Sequence, residues 1–126
     1  MTEDLKAKLL APRAATASGM PEDTVTLDGF GTVRVRGLSR GEVFQLQGAR
    51  DRGEIRDQAE WEQRMVALTL LDPPMTEAEV ATWQTVAGGG GELEDVTARI
   101  AELSGMASGS AKAAVQSFRD GPDDRV

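Results

Sequence analysis

The stretch Val33-Arg34-Val35-Arg36-Gly37-Leu38-Ser39-Arg40-Gly41-Glu42 changes its periodicity midway. Valine alternates with arginine over its first four residues, the mark of a strand with one dry and one wet face. Ser39 and Glu42 then stand three apart, as in a capping box: the serine oxygen accepts an amide hydrogen bond of the first helical turn, and the glutamate reaches back to the cap. A strand therefore passes into a helix within three residues. Upstream, Val25 and Leu27 alternate with Thr24 and Thr26, and Gly29-Phe30-Gly31 lies between the two alternating runs. This predicts a β-hairpin over 24–36 with Val25, Leu27, Val33 and Val35 inward and Thr24, Thr26, Arg34 and Arg36 outward. Two strands alone are marginal in water, so the hairpin must lie on a helix or on another chain's strand.

Downstream, Asp57 with Glu60 and Thr76 with Glu79 repeat the capping-box spacing. The helix opened by Ser39 spans about 40–50, burying Val43, Phe44 and either Leu46 or the stem of Gln47 before Gly53. A second, about 58–71, carries Trp61, Met65, Leu68 and Leu71 at helical spacing and stops at Asp72, because Pro73 and Pro74 disfavour helix before them. A third, about 77–87, presents Val80, Trp83 and Val86 or Ala87, and the four glycines from Gly88 end it. A fourth, about 92–103, places Leu93, Val96, Ile100 and Leu103 on one face, with Glu92, Glu94 and Asp95 in its positively polarised first turn and Ser104-Gly105 as its stop. A last helix, 110–118, would carry Ala111, Ala114, Val115 and Phe118.

The fold class that follows is α+β, predominantly α: an N-terminal β-hairpin packed on a small cluster of four to five short helices. Residues 1–22 read as a short N-terminal helix (Thr2 to Leu10) and a flexible linker, 23–119 as a single globular domain, and 120–126 as a disordered tail. A chain of 126 residues fits one core. With 3 Phe, 2 Trp and no Tyr, that core rests on aliphatic side chains.

Composition narrows the function. Fourteen Lys and Arg against 21 Asp and Glu give a net charge of −7, which repels phosphate backbones. With no Cys and no His, thiol chemistry, zinc thiolate sites and the commonest near-neutral acid/base are excluded. No cofactor site and no metal site is read. Leu9-Leu10-Ala11-Pro12 is too short for the apolar part of a signal peptide and nothing approaches a membrane span, so a cytoplasmic location is expected, without membrane or nucleic-acid partners.

Each remaining polar motif has a structural explanation. Glu42, Glu60 and Glu79 are cap partners. Gly88-Gly89-Gly90-Gly91 before a helix suggests a phosphate loop, but the next residues are acidic where Lys and Ser or Thr are needed. Glu92-Leu93-Glu94-Asp95 lacks the alternating ligands of a calcium loop. The chain is therefore read as a non-enzyme whose function is binding. Trp61 and Trp83 fit a core position, yet with Met65 and Val86 they also fit a groove for another helix. Arg34 and Arg36 form a basic stripe, a solvated strand face or a partner contact. These six residues are the candidate partner-binding set.

The order of these features resembles one family: Val33-Arg34-Val35-Arg36, then Leu38-Ser39-Arg40-Gly41-Glu42 opening a helix, an Asp72-Pro73-Pro74 break, and Ile100-Ala101-Glu102-Leu103-Ser104-Gly105 before a helix ending in Phe118. It looks like the tail assembly chaperones of siphophages and contractile-tail prophages, especially the XkdN-like kind, over about Val25 to Phe118. The resemblance implies a protein that binds the long helical tape measure protein, keeps it soluble and supports polymerisation of tail tube protein around it. It also implies residence in the host cytoplasm and absence from the mature virion. Such proteins are often made with a frameshifted longer form, a further partner, and homo-oligomers are compatible with the pattern. A structural subunit of a phage tail or contractile injection system that stays in the particle is the alternative.

Overall fold

The computed structural model describes residues 2–106, and the 110–118 helix and 120–126 tail read from the sequence lie outside them. The elements are α1 (Thr2–Leu10), β1 (Glu22–Leu27), β2 (Gly31–Arg36), α2 (Arg40–Asp51), α3 (Gln58–Thr69), β3 (Leu70–Asp72), α4 (Glu77–Val86) and α5 (Glu92–Leu103). The architecture is α+β with helix predominant, the hairpin preceding most of the helices.

β1 and β2 form the expected hairpin, antiparallel with Val25 opposite Val33 and Leu27 opposite Gly31. Leu27, Val33 and Val35 are buried, and Val25 is half-buried beside them. The sheet has a third strand that the sequence reading assigned to helix. α3 ends at Thr69, and Leu70–Asp72 pairs antiparallel with β2, Val35 opposite Leu70 and Arg34 opposite Asp72, across a local irregularity. The reason is local and tertiary together. A residue before proline favours extended backbone, and the open edge of β2 supplies partners for amides that leave the helix. The second strand's need for support is thus met from within the chain.

Caps fix the helix starts. Ser39 and Thr76 close complete capping boxes with Glu42 and Glu79. At α3 the box is shifted: Asp57 accepts from the Glu60 amide, but the Glu60 carboxylate takes the Arg56 amide (2.7 Å) and guanidinium.

The main core joins Leu27, Val33 and Val35 of the sheet to Val66, Leu70, Val80, Leu93, Val96 and Ile100. A smaller cluster gathers Leu38, Leu46, Ala49 and Ile55, with Val43 and Trp61 against it and Met65 touching both clusters. Two helix faces depart from expectation in part, at Phe44 and at Leu68, while Val43, Leu46, Trp61 and Met65 pack inward as expected. In α2, Phe44 is exposed beneath the Arg40 guanidinium (4.9 Å to the ring centre), while Leu46 and Ala49 are buried. In α3 the buried residues are Val66 and Thr69; Leu68 is exposed. Thr69 tolerates full burial because its hydroxyl donates to Met65 O at 2.8 Å.

The corner after β2 binds these parts together. Gly37 N donates to Pro21 O, and Leu38 N donates to Ser104 Oγ at 2.7 Å, which in turn donates to Ile100 O. A Cβ on Gly37 would lie 2.5 Å from Leu103 C and overlap its carbonyl oxygen. Across the sheet, Arg99 of α5 holds Asp23 of β1, with Nε to Oδ2 at 2.6 Å.

Gly37→Ala should therefore destabilise the protein by about 2–3 kcal/mol in urea denaturation, the range of overpacking at a site closed by backbone. A loss below about 0.5 kcal/mol would mean that α5 does not approach the corner this closely.

Candidate functional site

The hairpin bend decides where the most exposed ring among the described residues sits. Phe30 N donates to Leu27 O at 3.0 Å, and Gly29 adopts φ +81 at the third turn residue, a conformation that favours glycine. Phe30 is left at the tip, 77% exposed. Behind it lies a groove of about 340 Å³, lined by Leu27, Phe30 and Val33 of the hairpin, Pro73 and Met75 of the loop between β3 and α4, Trp83 of α4 and Glu92 at the start of α5. Its walls thus come from four segments, of which the hairpin is distant in sequence from the other three. Trp83 packs on the main core, and its indole N–H donates to Glu92 Oε1 at 3.4 Å. A polar cleft lined by Thr26, Asp28, Gly90, Gly91, Glu92 and Asp95 adjoins this groove through the shared Glu92.

Among the described residues no three carboxylates lie close enough to hold a metal ion, and no helix among them is long and apolar enough to cross a membrane. What the arrangement offers is an apolar surface with a negative edge, suited to binding.

Of the six partner-binding candidates, only Trp83 lines this groove. Trp61 belongs to the smaller cluster, under the Arg50 guanidinium at 5.1 Å, and Met65 packs between the two clusters. The two tryptophans therefore do not share one face. Val86 is 78% exposed at the end of α4 and lines no part of the groove. Arg34 stays on the wet face, 55% exposed, with Glu22 at 3.9 Å.

Arg36 departs furthest from its expected place on the wet face. Its side chain is 13% exposed and forks onto the Glu42 carboxylate, with both nitrogen–oxygen distances 2.8 Å. The same guanidinium donates to Gly37 O and to Leu68 O near the end of α3. Planar bidentate geometry with further carbonyl acceptors satisfies a partly desolvated charge, so Arg36 acts as a structural pin between β2, α2 and α3. The signal was the Arg36 to Glu42 spacing, masked because the capping role already explained Glu42.

The groove residues that sequence reasoning missed are Phe30, Pro73 and Met75. Phe30 carried the clearest sign: an aromatic between two bend glycines sits beyond the reach of a core behind the strands.

No protein-family model, curated protein or solved structure matches this chain.

The Arg36 guanidinium, ahead of the Ser39 backbone amide, holds the Glu42 carboxyl down at about 2 against an ordinary 4.5. A carboxyl lowered on folding stabilises the fold above its unfolded value, and this contribution fades as pH falls from about 4.5 towards 2. Glu42→Gln should therefore cost on the order of 2 kcal/mol at pH 7, with the gap from the parent protein constant down to about pH 5.5 and narrowing below it. A gap independent of pH between 7 and 2.5 would contradict the ion pair.

Proposed function

We propose that this protein is a non-enzymatic assembly chaperone of the tailed-phage type, which covers sticky helical surface of a tape measure protein until tail tube protein polymerises around it. The observation that carries this reading is the apolar groove beneath Phe30, a ring held in water by the hairpin bend while Met75 and Trp83 stand behind it. An exposed ring over an apolar floor suits the helix-in-groove mode of recognition, in which side chains three and four residues apart enter a cleft. The resemblance of Val33 to Glu42, Asp72 to Pro74 and Ile100 to Gly105 to tail assembly chaperones supports the identity of the partner. A net charge of −7 keeps loaded copies apart. The reading needs no cofactor, and it places the protein in the host cytoplasm and outside the finished virion.

The sheet favours a second reading. β1 is an outer strand in the order β1-β2-β3, so its edge, unpaired among the described residues, offers backbone groups for another strand. A subunit retained in the tail would use that edge.

Co-expression with the tape measure protein of the same phage should raise the tape measure's soluble fraction several-fold. Phe30→Asp should abolish the effect while leaving the thermal midpoint within about 2 °C, since an exposed side chain contributes little to stability. No gain in solubility over several tape measure lengths would contradict the chaperone reading. Mass spectrometry of purified particles separates the two readings: near-absence is expected of a chaperone, stoichiometric presence of a retained subunit.

A further inference from the structure

Several acidic side chains among the described residues are answered by arginine. Glu22 faces Arg34, Asp23 faces Arg99, Glu42 faces Arg36, Glu60 faces Arg56 and Glu77 faces Arg64. At the edge of the groove, carboxylates without such a partner lie beside an apolar floor. Asp28, Glu92 and Asp95 line the cleft that adjoins it, and among the described residues none of the three forms an ion pair. The N-terminus of α5 accounts for Glu92 and Asp95, which its dipole favours. Asp28 comes from the hairpin bend, another element, and brings a further carboxylate to the same side. Apolar floor and unanswered negative edge therefore lie next to each other and share Glu92.

We infer that the groove takes a basic amphipathic helix, with apolar side chains at helical spacing entering beside Phe30, Met75 and Trp83 and flanking Lys or Arg side chains meeting Asp28, Glu92 and Asp95. This rests on the chaperone reading for its biological setting and adds the chemistry of the bound segment. Apolar contact supplies the affinity; the carboxylates set the orientation and the preference for a basic over an acidic segment. The attraction is partly exposed and so is weakened by salt.

The test uses the full chain and two synthetic 18-residue helical peptides with the same leucine stripe, one flanked by lysines and the other by glutamates, followed by fluorescence anisotropy of labelled peptide. The lysine peptide should bind at least about tenfold more tightly than the glutamate peptide. Phe30→Ala, which leaves the protein's charge unchanged, should weaken it by about tenfold or more without moving the thermal midpoint. The double variant Asp28→Asn/Asp95→Asn should weaken it several-fold and flatten its dependence on salt between about 50 and 300 mM. Asp4→Asn/Asp51→Asn, the same change of charge elsewhere, should leave binding nearly unaltered.

Equal binding of the two peptides, or no effect of Phe30→Ala, would overturn the inference. Equal weakening by the two charge-neutralised variants would reduce the attraction to net charge and overturn it as well. Light scattering covers the other occupant: a dimer dissociated by Phe30→Ala would assign the groove to a second copy. The peptide and tape measure experiments fail separately. Peptide selectivity without tape measure solubilisation upholds the groove's chemistry and sinks the chaperone reading; solubilisation by a protein indifferent to peptide charge does the reverse.

Discussion

Gly37 has room for a hydrogen and nothing larger, and the fold is built on that limit. The backbone of α5 closes against it at Leu103, so the strand-to-helix corner and the end of the last described helix meet without side chains between them. Leu38 N and Ser104 Oγ join the same two segments, and Ser104 is held by Ile100 O. One residue upstream, Arg36 reaches the first turn of α2 through Glu42 and the end of α3 through Leu68 O. Each of these bonds is modest in water, but together they satisfy buried polar groups that would otherwise carry a desolvation cost.

The corner also governs the far end of the sheet. Fixing the end of β2 fixes its register with β3, and β3 leads through Pro73 and Met75 into α4, which carries Trp83. Arg99 binds β1 through Asp23 and Ser104 binds the corner through Leu38 N, so the C-terminal half of α5 is tied to the sheet, while at its start Glu92 accepts from the Trp83 indole of α4. The groove under Phe30 is thus assembled by constraints lying roughly a strand's length away. This explains how a surface with few polar contacts of its own keeps its shape.

Local signals made much of this legible. Alternation gave the hairpin and its inward residues, and side-chain caps at Ser39, Asp57 and Thr76 gave three helix starts, because caps are short-range chemistry written within four residues. The apolar stripe of Leu93, Val96 and Ile100 appeared where expected. What escaped the sequence depended on distant partners. Leu70 and Leu71 continue the helical pattern of α3, and only the open edge of β2 makes them a strand. Arg36 looked like its neighbour Arg34 until a helix terminus came within reach of one and not the other. Trp61 and Trp83 looked like one surface because helical spacing says which side chains share a face, but not which cluster that face meets. The groove combined all three difficulties, since its walls come from residues up to 65 positions apart, Leu27 to Glu92.

On this account the proposed working surface is the hairpin tip and its groove, and the core and corner of the described residues hold that surface steady. Amide hydrogen exchange of the protein with and without the proposed tape measure segment tests this most directly. Binding in the groove predicts added protection over 27–33, 73–76 and 83–92, with β1 from 22 to 25 unchanged. Protection concentrated along β1, or on the exposed face of α2 around Phe44, would contradict it and move the binding surface elsewhere.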